Sequence, residues 1–129
     1  MVAAIDTNVL VRFLIGDDLA QAAVAADRIS LGFVLLPTVA VETEWVLRAG
    51  YSWPRERIEA AFRDVIDLPE AIGLPANMDW VLDRFAAGAD FADMMHLSMA
   101  GDADAFVTFD HRIEKRAGDS PPVAVITLA

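Results

Sequence analysis

Short apolar runs without polar alternation are the feature that most restricts how this chain can fold. Residues 2–5, 33–36, 105–108 and 123–127 form four such runs, and a weaker one surrounds Ile72. Strands that are apolar at consecutive positions are typical of parallel sheets buried on both faces. We therefore expect short, mostly parallel strands that are covered by helices.

The segments between these runs have the periodicity of helices. Three of them place apolar residues on one helix face: Leu19, Ala22, Ala23, Ala26 and Ile29; Ile58, Ala61, Phe62, Val65 and Ile66; and Met78, Val81, Leu82, Phe85 and Ala86. Thr38 and Asn77 are candidate N-caps, because their side chains accept hydrogen bonds from the first backbone N–H groups of a helix. This alternation favours a layered α/β domain with right-handed crossovers over the alternative, an all-α bundle.

Length and composition favour a single domain over residues 1–129. A chain of 129 residues lies within the range of about 50–250 residues that single domains span. The hydrophobic content of 56% and the mean hydropathy of +0.41 exclude intrinsic disorder and suggest spare apolar surface for a partner or a second copy. No apolar run reaches the roughly 20 residues of a membrane span, so no membrane partner is expected.

The lack of cysteine removes several chemistries at once. With no Cys in the chain, a disulfide scaffold, a thiolate zinc site and a cysteine nucleophile are all excluded. A chain without thiols also fits the reducing cytoplasm, which is the expected location.

The charge balance argues against simple electrostatic capture of nucleic acid. Acidic residues outnumber basic ones by 20 to 10, and the formal net charge is −10. Proteins that bind DNA or RNA through a broad surface present a basic face to the phosphates. The alternative is that part of the negative charge forms a site for a cation.

Acidic residues recur where strands end and helices begin, which is the edge where open parallel sheets bind ligands. Asp6 follows the first strand, Glu42 lies one turn into the helix after the second, and Asp110 follows a late strand. Asp90 and Asp93 share one face at the start of an apolar helix. Taken singly, each of these acids is equally well explained as a helix cap, a first-turn residue or a turn residue.

Taken together, these acids favour a hard divalent cation. Glu42 stands behind three apolar residues, where a carboxylate is costly unless it is paired or metal-bound, whereas Glu44 is expected to point the other way into solvent. Asp90 and Asp93 should repel each other unless a cation lies between them. Oxygen ligands without thiolates fit Mg²⁺ or Mn²⁺. Such ions cleave phosphodiesters by activating water and neutralising phosphate.

Four segments, in this order and spacing, resemble the PIN-domain ribonucleases, and among them the VapC toxins of bacterial toxin–antitoxin pairs. They read AIDTNVLVRFL, PTVAVETEWVLR, DFADMMHLSMA and AFVTFD, and the resemblance covers about residues 2–127. The opening Asp-Thr-Asn is its most specific part. The resemblance implies a three-layer α/β/α fold with a five-stranded, mostly parallel central sheet. It also implies a homodimer, and a small antitoxin that blocks the site.

The resemblance also assigns roles to individual residues. It implies four catalytic, metal-binding acids: Asp6, Glu42, Asp93 and Asp110. Asp90 is implied as an accessory metal ligand on the same helix face as Asp93. Thr7 and Asn8 match the positions that brace the first acid.

Few basic residues are available to contact a substrate. Arg12 and the run 111–116, which contains Arg112, are the candidate phosphate contacts, although the run is also explained as a solvated face. Thr108 is a candidate support for the site at the end of its strand. Because Lys115 is the only lysine, we expect recognition of an exposed single-stranded RNA loop rather than of a duplex.

The expected function is therefore a divalent-metal-dependent endoribonuclease that uses metal-activated water and serves as the toxin of a type II toxin–antitoxin system. One alternative is a catalytically silent PIN-like binding module. Another is a receiver-like phosphoacceptor domain, which needs a lysine at the end of a late strand, whereas Lys115 lies seven residues after Thr108. His96 and His111 are the only histidines, so general-base catalysis by histidine is not expected.

Overall fold

A computed structural model describes residues 1–129, which divide into two compact units. Unit 1 is Met1–Leu74 and unit 2 is Pro75–Ala129. Each unit combines short parallel strands with helices, so the predicted α/β class is confirmed. A single domain over residues 1–129 stays a prediction.

Unit 1 contains three strands, four α-helices and one π-helical stretch. In chain order they are β1 Ala3–Ala4, α1 Thr7–Ile15, α2 Leu19–Ile29, β2 Phe33–Val34, α3 Pro37–Trp45, the π-helix Val46–Gly50, α4 Arg55–Ile66 and β3 Ala71–Gly73. The strands form one parallel sheet in the order β1-β2-β3. Gly32 enters this sheet with φ of +96°, and a Cβ at this position would meet Val2 at 3.2 Å and Ile72 at 3.3 Å. The positive φ therefore favours glycine there, and a larger residue would also press against these two side chains.

The core of unit 1 is formed by side chains from the helices and from β2. Leu10, Phe33, Ile58 and Phe62 are all fully buried, and the predicted stripe of α4 faces inward. The predicted stripe of α2 is only partly right: Ile29 is buried and Ala22 and Ala26 are half-buried, but Ala23 is exposed, and Ala25 outside the stripe is buried. Leu19, which opens that stripe, is 80% exposed. Alanine-rich helices have two faces of similar hydrophobicity, so the pattern alone could not fix which face is buried.

Unit 2 contains three helices and two strands. In chain order they are α5 Met78–Ala86, α6 Phe91–Met99, β4 Ala105–Thr108, α7 His111–Ala117 and β5 Ala124–Thr127. Strands β4 and β5 pair in parallel over their full length. Phe85 of α5 meets Phe91 of α6 edge to face, with ring centroids 5.5 Å apart. The apolar face predicted for α5 is buried at Met78, Val81, Leu82 and Phe85.

The expectation that the strands are buried on both faces is wrong for β4 and β5. Val107 is 54% exposed and Ile126, its partner across the register, is 49% exposed. Phe109 and Leu128, one step further along the same face, are also exposed. A run that is apolar at every position shows that the strand is apolar, but it does not show whether one face or both are covered. The five strands also pair as a three-stranded and a two-stranded sheet, where the resemblance implied one sheet.

Of the two predicted helix caps, Thr38 is wrong and Asn77 is right in position only. Helix α3 begins at Pro37, with Leu36 rather than Thr38 in the cap position and no side-chain capping bond. Proline suits the first helical position because its missing N–H has no partner there in any helix. Asn77 does precede α5, but its φ is +57° and its side chain makes no capping bond. None of the helices is both long and apolar enough to cross a membrane.

Two leucines in unit 1 test this description of the core. Leu10 is 0% exposed and Leu19 is 80% exposed. Leu10→Ala should lower the free energy of unfolding by about 2–5 kcal/mol, because it removes buried methyl groups and leaves a cavity. Leu19→Ala should stay within about 0.5 kcal/mol of the unchanged protein, since it alters an exposed surface. Urea denaturation measures both, and equal losses for the two variants would contradict the assignment of the buried face of α2.

Candidate active site

Unit 1 brings two of the predicted acids into one pocket. A cavity of about 240 Å³ is lined by Asp6 and Glu42, together with Thr7, Asn8, Val11, Arg12, Val46 and Tyr51. We call this cavity the unit 1 pocket. The side chain of Asp6 caps helix α1, and its Oδ1 accepts a hydrogen bond of 2.8 Å from the backbone N–H of Thr7. This bond occupies one carboxylate oxygen and leaves the other available to a ligand.

The structure reverses the predicted environments of the two acids in α3. Glu42 is exposed at the unit 1 pocket rather than surrounded by apolar side chains. Glu44, expected in solvent, is only 4% exposed and accepts hydrogen bonds of 2.8 and 3.4 Å from the guanidinium of Arg48. Residues two apart lie about 200° apart around a helix, so one of the pair must face inward, and sequence reasoning selected the wrong one.

The predicted supporting residues also lie at this pocket. Thr7 is buried, with only 7% of its surface exposed, and its Oγ1 has no hydrogen-bond partner. A buried hydroxyl without a partner is costly, which is typical of a site that a bound ligand or ion completes. Arg12 is 39% exposed and contacts Asp17 only at 3.5 Å, so its guanidinium remains available to an anion.

Sequence reasoning missed Val46 and Tyr51, which complete the wall of the unit 1 pocket. Val46 is the first residue of the π-helix Val46–Gly50, and Tyr51 directly follows its last residue. Nothing in the residue pattern distinguishes a π-helical turn from the end of an ordinary helix, so no sequence signal could have assigned Tyr51 to this pocket.

Unit 2 brings the other three acids to a second cavity. This cavity is about 420 Å³ and includes Asp90, Asp93, Asp110, Arg112 and Arg116 among its lining residues. We call it the unit 2 pocket. Asp90 caps helix α6 and its Oδ2 accepts a hydrogen bond of 3.0 Å from the backbone N–H of Asp93. This capping bond therefore holds the carboxylate of Asp90 next to Asp93.

The surroundings of Asp93 in the unit 2 pocket disfavour its ionised form. Partial burial raises the pKa of Asp93 above its ordinary value, and repulsion from Asp90 and then Asp110 raises it further. The carboxylate of Asp93 accepts no hydrogen bond from the protein, so only the positive charges of His96 and Arg112 offset the repulsion. Such a carboxylate gains most from a cation placed next to it.

Asp110 is already neutralised by an arginine. The guanidinium of Arg112 donates hydrogen bonds of 3.1 and 3.0 Å to the two oxygens of Asp110, and the backbone N–H of Arg112 donates another of 2.9 Å. These contacts lower the pKa of Asp110 to about 2. The backbone N–H of Asp110 in turn donates to Oγ1 of Thr108 at 2.9 Å, so Thr108 shapes the turn that presents this acid.

The two histidines lie outside this hydrogen-bonded network. His96 is exposed and its ring stacks against Phe106, with centroids 6.3 Å apart. His111 is the exposed first residue of α7. Neither makes a hydrogen bond to the predicted acids in the structure.

A comparison with known protein families identifies the kind of domain that carries these carboxylates. The model of the PIN domain family matches residues 3–119. The chain belongs to the PIN domain family. The match spans all five predicted acids and extends over both units of this PIN domain. No curated protein and no solved structure matches the chain significantly.

PIN domains are typically metal-dependent nucleases, and the residues of this one suit a hard cation. No group of three or more acidic or histidine side chains is closed around a metal position in the structure. Within unit 2, Asp110 is turned to Arg112 and Asp90 to the backbone of Asp93. The unpartnered Thr7 hydroxyl and the unbonded Asp93 carboxylate nonetheless leave oxygen donors without partners. An all-oxygen donor set of this kind fits Mg²⁺ or Mn²⁺.

The raised pKa of Asp93 predicts a stability change of defined sign. The folded chain holds the proton of Asp93 more tightly than the unfolded chain does, so ionisation of Asp93 costs stability once the pH exceeds the ordinary value of 3.8. In the presence of EDTA, Asp93→Asn should therefore raise the melting temperature at pH 7 by a few degrees. The gain should shrink as the pH falls below 3.8, where both states are protonated.

Asp102→Asn is the matched control for that experiment, because it removes the same charge from an exposed residue outside the cavity. Thermal unfolding followed by circular dichroism measures both variants. Equal gains at pH 7 would show that general charge relief, rather than repulsion around Asp93, causes the effect.

Proposed function

We propose that this PIN domain is a divalent-metal-dependent endoribonuclease. Nuclease activity in general is what membership of the family supports. The observation that carries the more specific proposal is the presence of Asp90, Asp93 and Asp110 at one cavity, where burial and then mutual repulsion raise the pKa of Asp93. Proteins retain such an arrangement where a cation is bound or a pKa must be shifted for chemistry.

The proposal assigns the metal to the acids that the sequence singled out. Asp6, Glu42, Asp93 and Asp110 would hold one or two Mg²⁺ or Mn²⁺ ions, with Asp90 as an accessory ligand. A bound ion of this kind makes water a stronger nucleophile at neutral pH and neutralises the charge of the phosphate. The carboxylates at the two pockets are the oxygen donors that such an ion prefers.

Several protein groups orient the reacting parts. The N–H of Thr7 holds the Asp6 carboxylate, and Thr108 holds the turn before Asp110. Arg12 and Arg112 are the proposed phosphate contacts, and Arg112 is suited to exchange partners because its side chain is 85% exposed. Water attacks phosphorus in line and the 3′-oxygen leaves, so the products carry a 5′-phosphate and a 3′-hydroxyl.

The charge of the chain limits what RNA it can bind. At a formal net charge of −10, nonspecific attraction to a duplex is weak, and few phosphate contacts are available. Contacts to unstacked bases then have to supply much of the affinity, which favours single-stranded loops. RNA is therefore the proposed substrate class, with an exposed loop as the form recognised.

We also propose that the domain is the toxin of a toxin–antitoxin pair. A groove of about 680 Å³ between α1 and α2 is lined by Val9, Val24 and other residues, and it shares Asn8 and Arg12 with the unit 1 pocket. An apolar segment of a small antitoxin seated in this groove would cover Arg12 and so block substrate binding. The exposed apolar face of β4 and β5 supports the related proposal of a homodimer.

Cleavage of RNA with and without metal tests the proposed activity. The purified protein should cut total RNA in the presence of Mg²⁺ or Mn²⁺, and EDTA should abolish the cutting. Asp6→Asn should reduce the rate by at least about 100-fold, since loss of a group that positions transition-state charge typically costs about 10²–10³. Asp102→Asn is the matched control, because Asp102 lines neither pocket.

Mapping the ends of the products adds a second readout, because the proposal requires 5′-phosphates. Cleavage that survives both EDTA and Asp6→Asn would rule out the mechanism. Metal binding by calorimetry without any cleavage would instead support the catalytically silent binding module.

A further inference from the structure

Tyr51 lies at the unit 1 pocket without a part in the chemistry proposed so far. It is the only tyrosine of the chain, it is 38% exposed, and it lines the same cavity as Asp6 and Glu42. Its hydroxyl makes no hydrogen bond within the protein. An aromatic ring left accessible beside carboxylates is available to a ligand, whereas a packing residue would be buried.

The π-helix is what gives Tyr51 this position. Tyr51 follows Glu42 by nine residues, which in a continuous α-helix is about two and a half turns and would place it on the opposite side. The structure replaces the last turn with the π-helix Val46–Gly50. This wider turn changes the phase of the chain, so that Tyr51 and Glu42 line one cavity.

Contacts on either side of Tyr51 fix the segment in this path. Ser52 takes the left-handed conformation with φ of +56°, which few residues other than glycine adopt. The backbone N–H of Trp53 donates to the carbonyl of Leu47 at 3.0 Å, and the guanidinium of Arg57 lies 3.8 Å over the Trp53 ring. A π turn and a left-handed residue on the two sides of one side chain are typical of segments that present that side chain for function.

The neighbours of Tyr51 point to one nucleotide of an RNA chain. The pocket offers an aromatic ring, the cation Arg12 and two carboxylates. Single-stranded RNA is bound by stacking its bases on aromatic rings and by contacting its phosphates with arginine. The volume of about 240 Å³ is below the roughly 300–1,000 Å³ of pockets that enclose a whole small molecule. It suits part of a longer chain.

We propose that Tyr51 is a specificity-determining residue, whose ring stacks on the base of a nucleotide adjoining the cleaved phosphate while Arg12 contacts the backbone. This rests on the proposed ribonuclease function, and it names a subsite that the carboxylates alone do not supply. Stacking depends on the ring rather than on the hydroxyl. Replacement by phenylalanine should therefore retain most of the contribution, and replacement by a non-aromatic residue should remove it.

The test uses a single-stranded RNA oligonucleotide that spans a cleavage site mapped with the unchanged protein. Binding is measured by fluorescence anisotropy in the Asp6→Asn background, which prevents cutting. Adding Tyr51→Leu or Tyr51→Gln should weaken binding by between about 5-fold and 100-fold, the range for loss of one stacked base, and Tyr51→Phe should restore most of it. Trp45→Leu removes an aromatic ring that is 57% exposed but does not line the cavity, so it serves as the control.

A set of oligonucleotides with one base removed at each position in turn separates stacking from a structural role. At one position next to the cleaved phosphate, removal of the base should weaken binding to the tyrosine protein and leave binding to the Tyr51→Leu protein unchanged. Melting temperatures confirm that the variants fold. Equal weakening of intact and abasic RNA by Tyr51→Leu, or no weakening at all, overturns the assignment while the nuclease stands. Failure of the unchanged protein to cleave RNA overturns both.

Discussion

Carboxylates repel one another when they are held close together, and this repulsion is the constraint on which the rest of the site depends. In unit 2, helix capping places Asp90 beside Asp93, and the turn after β4 adds the charge of Asp110. The protein offsets part of this repulsion itself through Arg112, which binds Asp110. It leaves Asp93 without a donor, and that residual cost is what a divalent ion would remove.

Unit 1 also contains two acids close together, Glu42 and Glu44 of α3. Its buried acid, Glu44, is neutralised by Arg48, and this leaves Glu42 as the exposed acid of α3. The same stretch continues into the π-helix that places Tyr51 beside Glu42. One helix end therefore carries a structural ion pair, the acid proposed as a metal ligand and the aromatic ring proposed to stack on a base. Each of these roles follows from the phase of the helix rather than from residue type.

Much of this could be predicted from the sequence, and the failures share one cause. The strand at Ala105–Thr108 and the inward faces of α4 and α5 follow from residue pattern. The capping and site interpretations of Asp6 and Asp90 are compatible, because a cap uses only one carboxylate oxygen. The sequence did not predict the burial of Glu44, the buried face of α2 or the position of Tyr51 at the unit 1 pocket. Each depends on helical phase, which tertiary packing sets and which a single sequence does not encode locally.

The proposed activity depends on a divalent metal bound by the acidic residues at the two pockets. Calorimetric titration of Mn²⁺ into the unchanged protein, Asp6→Asn and Asp93→Asn tests it most directly, since Asp6 belongs to unit 1 and Asp93 to unit 2. We expect each substitution to weaken Mn²⁺ binding by at least about tenfold, as loss of groups in a metal site usually does. Mn²⁺ binding that is left unchanged by one or both substitutions would contradict the proposal that these acids are metal ligands.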